Sequence, residues 1–251
     1  CWPLNLAPYQ ISLIPANNPG MLYSIGTMHG IEGLQKNRRM EFRPYVATRM
    51  SMEEHDAENP YLTNGKRYGA TTGLNGKIGL GSNFTVDFAI NPDFGQVEAD
   101  PAELNLTVFE THFEEKRPFF LEGKNIFEYE FEKNQLFYTR RIGHKPSYTP
   151  SLEEGEYMDM PDFSKILLAT KMSGKNKNGL SVGILESITA REQAYVMNES
   201  GGEKELIVEP MTNFTVARVE QELNKSNTMF GGIVTAVNRF INNDYMQNKL
   251  P

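Results

Sequence analysis

The chain has 251 residues, with 25 Lys and Arg against 32 Asp and Glu, and a net charge of −7. That balance leaves no excess of cations to neutralise phosphates, which argues against a duplex nucleic-acid partner. The single cysteine, Cys1, excludes an intrachain disulfide, and no run approaches the roughly 18 apolar residues of a membrane helix, so any membrane role falls to strands.

Cys1 has two readings, a lipid-modified mature N-terminus or a fragment boundary; no signal peptide precedes it, and the boundary is the simpler account. Residues 1–39 read as a connector from a missing N-terminal domain. Alternation with period two begins at 40–50, where Met40, Phe42, Val46 and Met50 oppose Glu41, Arg43, Ala47 and Arg49, with Pro44 suited to an edge or bulge. Residues 67–80 and 84–91 follow as a hairpin through Gly81-Ser82-Asn83. In the second of these, Phe84, Val86, Phe88 and Ile90 form an apolar face, and Thr85, Asp87, Ala89 and Asn91 a polar one.

Residues 92–162 are a long excursion without a spanning strand. At 163–173, Ile166, Leu168, Thr170 and Met172 oppose Lys165, Ala169, Lys171 and Ser173, with Leu167 breaking the polar face. Gly174–Gly179 turns the chain into 180–190, where Leu180, Val182, Ile184 and Ile188 oppose Ser181, Gly183, Ser187 and Thr189. A last hairpin joins 211–223 to 228–238 through residues 224–227. Glycines 69, 73, 76, 79, 231 and 232 are positions for bulges or tight curvature.

Three tight turns therefore alternate with long connections at 51–66, 92–162 and 191–210, the pattern of a bacterial barrel with short turns on one rim and long loops on the other. An eighth strand at Leu136–Ile142 would put the turns at 81–83 and 174–179 on opposite rims, so 92–162 is taken as one excursion. The expectation is an all-β fold: residues 40–251 as an antiparallel transmembrane β-barrel segment, incomplete at about seven strands, with 92–162 as a plug-like luminal or loop excursion. Single-chain barrels usually have an even strand number, so later strands are missing. A soluble β-sandwich shares the same period.

Asn91–Pro101, with its Asn-Pro-Asp-Phe-Gly-Gln-Val-Glu-Ala-Asp-Pro run, and Phe113–Gly123, with Phe-Glu-Glu-Lys-Arg-Pro-Phe-Phe-Leu-Glu-Gly, resemble a family. It is the barrel region of a large set of bacterial proteins, common in Bacteroidetes, in which an N-terminal family 9 carbohydrate-binding domain precedes an outer-membrane barrel. Gly30–Gly33, Glu41–Val46, Leu136–Gly143, Thr189–Glu192 and Thr235–Arg239 extend the resemblance over residues 24–240. It implies location in the bacterial outer membrane, with lipid, glycan or other outer-membrane proteins as partners. It supplies no reaction.

Several constellations compete for a chemical role. Asp93, Glu98, Asp100 and Glu103, among Pro92, Gly95 and Pro101, offer oxygen ligands for calcium, without the ordered EF-hand loop; a solvated acidic face is the plainer account. No other cofactor is expected. Glu98 and Glu114 could serve as paired carboxylates for glycoside cleavage if brought about 5–9.5 Å apart. Glu98, Asp100, Glu114 and Glu115 with Lys116, Arg117, Arg140 and Arg141 read as a luminal charge network, since confined charges need partners. The same cations could instead face an anionic solute. The aromatic residues around them, from Phe113 to Tyr138, suit plug packing or an interfacial girdle, or stacking on sugars. His29, His55, His112 and His144 form no metal motif, and no P-loop or G-x-S-x-G elbow occurs, so no catalytic residue is assigned. The Asn83, Asn105 and Asn213 sequons are discounted in a bacterial chain. The functional expectation is a non-enzymatic barrel segment serving glycan handling or export, with a carbohydrate-binding or glycoside-hydrolase-like protein as the alternative.

Overall fold

Segments rich in Val, Ile, Thr and aromatic residues, alternating with polar ones, favour a pleated surface with two unlike faces. A computed structural model describes residues 39–52, 56, 59–62, 65–93, 113–127, 129–131, 134–223 and 228–241. Its strands are β1 (Met40–Met52), β2 (Lys66–Leu80), β3 (Phe84–Ile90), β4 (Glu130–Phe131), β5 (Asn134–Gln135) and β6 (Glu156–Asp159). They continue as β7 (Ile166–Lys175), β8 (Leu180–Thr189), β9 (Glu192–Asn198), β10 (Glu203–Glu209), β11 (Met211–Leu223) and β12 (Thr228–Phe240). The protein is all-β, its strand pairs antiparallel.

One sheet takes seven strands in the order β1-β2-β3-β7-β8-β11-β12, each beside its neighbour in the sequence of spanning segments. All seven expected spans are therefore strands of one sheet. Among the described residues this sheet does not close: β1 and β12 are its two edges, and the expected barrel is so far an open antiparallel sheet. Pro44 lies in edge strand β1, where a missing N–H leaves no central ladder broken. The expected connector, 1–39, lies outside the described residues except for Arg39, whose carbonyl accepts from Gly79 N–H at 2.8 Å.

Unshifted registers carry each face across the sheet. Met40, Ile78, Val86, Met172, Ile184, Ala217 and Val234 stand in one row across seven strands, apolar throughout. The adjacent row, on the other face, reads Glu41, Lys77, Asp87, Lys171, Leu185, Val216, Thr235. Its first four members alternate in sign, so each charge faces its opposite across a strand pair. Burial runs against hydropathy: Val234 is 68% exposed, whereas Lys171 is 1% exposed. The glycines at 73 and 76 do not mark bulges, since β1, β2 and β3 pair without a shift. A Cβ at Gly73 would meet the Tyr45 ring, and one at Gly76 the Phe88 ring, so each glycine leaves room for an aromatic side chain crossing the sheet.

One assignment within the spans is corrected. The β7–β8 register shifts between Ile166 and Leu168, so Leu167 is the extra residue of a bulge. Ile166 thereby turns from the apolar outer face to the covered one, where it is 3% exposed. On β8, parity holds: Leu185 lies on the covered face and Glu186 on the outer one, where Asn213 Nδ2 and Thr215 Oγ1 each donate to its carboxylate at 2.9 Å.

The covered face of β7, β8 and β11 is roofed by the excursion after β3. Phe120, Phe127, Phe137 and Ile142 of that excursion pack with Ile166, Ala169, Leu185, Phe214 and Val216 in a single core. The roof begins with helix α1 (Pro118–Leu121), where Pro118 supplies a pre-set φ at the first turn. Gly123, at φ 68°, then reverses the chain into a 3-10 turn at Lys124–Ile126, a backbone conformation that favours glycine. Gly183 of β8 has no side chain where Ile126 and Phe127 come down, and a Cβ there would strike both. The 191–210 connection, expected as a plain loop, forms the hairpin of β9 and β10, to which β6 adds a third strand.

The bulge makes a direct test. Ile166→Ala, which opens the core, should lower stability by about 2–5 kcal/mol, whereas Leu167→Ala, at an exposed position, should change it by roughly 0.5 kcal/mol or less. Urea titration of the folded chain reads both, and equal losses would put the bulge elsewhere.

Candidate functional site

The excursion is held by cations that donate into its backbone. Arg117, 5% exposed, forms a two-pronged pair with Glu115, Nε to Oε1 at 2.8 Å and Nη2 to Oε2 at 2.7 Å. Its remaining donors reach the carbonyls of Ile142 at 2.6 Å and Thr139 at 2.8 Å, and its guanidinium lies 4.3 Å from the centre of the Phe120 ring. Thr139 Oγ1 adds a 2.6 Å bond to Glu115. Residues 113–120 and 137–142, apart in sequence, are thereby pinned together by one guanidinium. Burial pushes the Glu115 carboxyl up, but the Arg117 guanidinium, Thr139 and the Arg117 N–H outweigh it and hold the carboxyl below its ordinary value.

Two cations of the sheet do the same from below. Lys171 Nζ donates to the carbonyls of Phe119, at 2.6 Å, and Glu122, at the C-terminal end of α1. Asp87 lies 3.8 Å away across the β3–β7 seam, and Lys77 is 3.5 Å from Asp87 while also pairing with the Glu122 side chain. Arg218 of β11 donates to Ile126 O at 3.2 Å and pairs with Glu220 at 2.6 Å.

Beyond this junction, at the rim from which the long connections leave, lies a cavity of about 1170 Å³. Strands β1 and β2 contribute Arg49 and Arg67, the excursion contributes Arg140, His144 and Lys145, and the approach to β9 contributes Arg191 and Glu192. Arg67 pairs with Asp159 of β6 at 2.6 Å, and Arg49 stands 3.8 Å from Asp93. Burial raises the Glu192 carboxyl above its ordinary value against the opposing Lys165 N–H, which donates to it at 2.7 Å. Nearby, the Tyr61 hydroxyl donates to Glu203 of β10 at 3.2 Å; burial, with that carboxylate, pushes its pKa up to about 12.

Of the expected charge network, Glu115 and Arg117 come together at the core of the roof. Glu114, Lys116 and Arg141 are exposed, and Arg140 lines the cavity. Glu98 and Asp100 lie outside the described residues. So does Glu103, which leaves Asp93 as the described member of the calcium set, and the Glu98–Glu114 pair is likewise outside them on one side. Among the described residues no three of His, Cys, Asp and Glu converge as metal ligands. Lys77, Asp87, Lys171 and Arg218 were not singled out as site residues. Parity placed Asp87 and Lys171 on the polar face, but their contact depends on strand register across the long excursion.

The family model described as Domain of unknown function (DUF5916) matches residues 37–244. No curated protein and no solved structure matches the chain.

Arg117→Met should strand a buried carboxylate and free two carbonyls, lowering stability by about 3–5 kcal/mol and opening residues 113–145 to protease. Because the folded Glu115 carboxyl is held below its ordinary value, the pair's contribution is complete above the ordinary carboxylate range and is lost as pH falls through the depressed folded value. Proteolysis of wild type and Glu115→Gln should therefore differ at neutral pH and converge in acid. A constant difference down to low pH would remove this role for Glu115.

Proposed function

We propose that this chain, which belongs to the family described as Domain of unknown function (DUF5916), is part of an antiparallel β-barrel that crosses the bacterial outer membrane. The observation that supports it is the inversion of the sheet: Met40, Ile184 and Val234 of the apolar row are exposed, while Asp87 and Lys171 of the charged row are buried. A sheet facing water keeps its polar side chains outward and hides apolar ones, whereas a barrel wall in lipid does the reverse. Met40, Phe42, Val46, Phe230, Val234 and Phe240 all stand about half exposed or more on the outer face. In hydrocarbon each would be in its preferred solvent.

On this reading the tight turns at 81–83 and 176–179 lie at the periplasmic side, and the long connections, with the β6-β9-β10 sheet, at the cell exterior. The edges β1 and β12 pair with further strands, because unpaired backbone groups are untenable in lipid. The roof over β7, β8 and β11 fills part of the lumen as a plug and carries no reaction of its own. Glu186 sits on the outer face three residues from the exterior end of β8, held by Asn213 and Thr215, at a depth suited to the headgroup region. The resemblance to barrels that follow a family 9 carbohydrate-binding domain extends the proposal to glycan handling or export.

Single cysteines test the wall. In membranes, cysteines at Val46, Val86 and Val234 should resist a water-soluble thiol reagent and react once the protein is unfolded, while a cysteine at Lys145 should react in both states. Val86→Arg should lower stability by about 2–4 kcal/mol if it lies near the midplane. Free labelling at the three valines, in a soluble monomer with glycan affinity, would replace the barrel with the carbohydrate-binding alternative.

A further inference from the structure

We infer that the rim cavity is a binding site for a solute carrying several anionic groups. The cavity holds about 1170 Å³, at or above the roughly 300–1,000 Å³ usual for small-molecule sites. Its cations are Arg49, Arg67, Arg140, Lys145, Lys165 and Arg191, apart from Arg117, which the Glu115 pair already occupies. Asp93, Asp159, Asp162 and Glu192 oppose them, so among the described residues six positive groups meet four carboxylates. The whole chain carries a net charge of −7, so this is a local reversal of sign.

The arrangement points to several anions on one solute. The six cations come from β1, β2, the excursion, the residues before β7 and those before β9, and they surround the space from different sides. A single small anion would meet two or three of them. Arg67 is oriented by Asp159, and Asp93 lies in reach of Arg49, so these two guanidiniums are partly satisfied. Lys145 and Arg191 form no ion pair among the described residues, are exposed, and retain their donors for an incoming carboxylate, sulfate or phosphate. A concave site with low-dielectric walls and one sign of charge in excess concentrates such a solute before contact. The inference does not depend on the sheet crossing a membrane, since it concerns a cavity at one end of the strands, where the long connections leave.

The test is calorimetric titration of the folded full chain, in detergent where needed, with citrate, tripolyphosphate and a sulfated disaccharide, and with sucrose as the neutral comparator. The three anions separate carboxylate, phosphate and sulfate as the source of the charge. At least one should bind saturably, with affinity falling as salt rises, and sucrose should not. Lys145→Gln/Arg191→Gln should weaken that binding roughly tenfold, and Asp162→Asn should strengthen it. Both positions are exposed, so an unchanged thermal transition separates lost binding from lost folding. Absence of saturable anion binding overturns the inference. So does binding that sucrose matches or that the double variant leaves intact. Neither result bears on the cysteine pattern that tests the barrel.

Discussion

A lysine ammonium removed from water must recover its hydration in fixed acceptors, and Lys171 does so with two roof carbonyls and the Asp87 carboxylate. Much of the architecture follows from that requirement. The carbonyls come from within α1 and from just past its C-terminal end, so Lys171 sets where the roof lies. Asp87 comes from the neighbouring strand, so the same ammonium also joins β3 to β7. Lys77 and Glu41 extend the alternation of sign to the edge of the sheet. A wall with charges on its covered side tolerates a roof only if the roof presents acceptors there, and the end of a short helix, with its unmatched carbonyls, is a ready source.

Arg117 works by the same chemistry within the roof. A planar guanidinium can engage a carboxylate on one edge and carbonyls on the others, which suits it to a crowded interior where a lysine would leave donors unmet. Between Arg117, Lys171 and Arg218, the roof is tied by polar bonds at its seams and by Phe120, Phe127 and Phe137 between them. The charged and the apolar interactions thus share one interface.

The wall was legible in the sequence because period-two alternation survives wherever a strand has two unlike faces. Phe84–Ile90 shows this with few interruptions, and the three tight turns placed the spans in order. Leu167 was legible only as a disturbance: a bulge adds one residue, and parity alone cannot tell which neighbour changes face. Strands β9 and β10 escaped because their two faces are alike in sequence: Ala194 to Met197 is an apolar run, and Glu203 to Glu205 a charged one. At the site, Arg117 and Glu115 lie two residues apart and could be read as partners. Asp87 and Lys171 are far apart in sequence, and no local pattern announces that register will set them side by side.

That seam also bears on the assembly of the molecule. Within β1–β3 and within β7–β12, successive spans are separated by no more than 21 residues, so their pairing closes smaller loops. Pairing β3 with β7 must close the segment 91–165, which is 75 residues long. By polymer statistics its closure costs about 2–3 kcal/mol more than that of a five-residue turn, and nothing repays it until the strands meet. Among the contacts that repay it, the one between Asp87 and Lys171 requires both strands, and those from Lys171 to the roof require β7 and the excursion. Of the pairings that build the wall, the β3–β7 junction is therefore the one of longest range, and it rests on the excursion that Lys171 anchors.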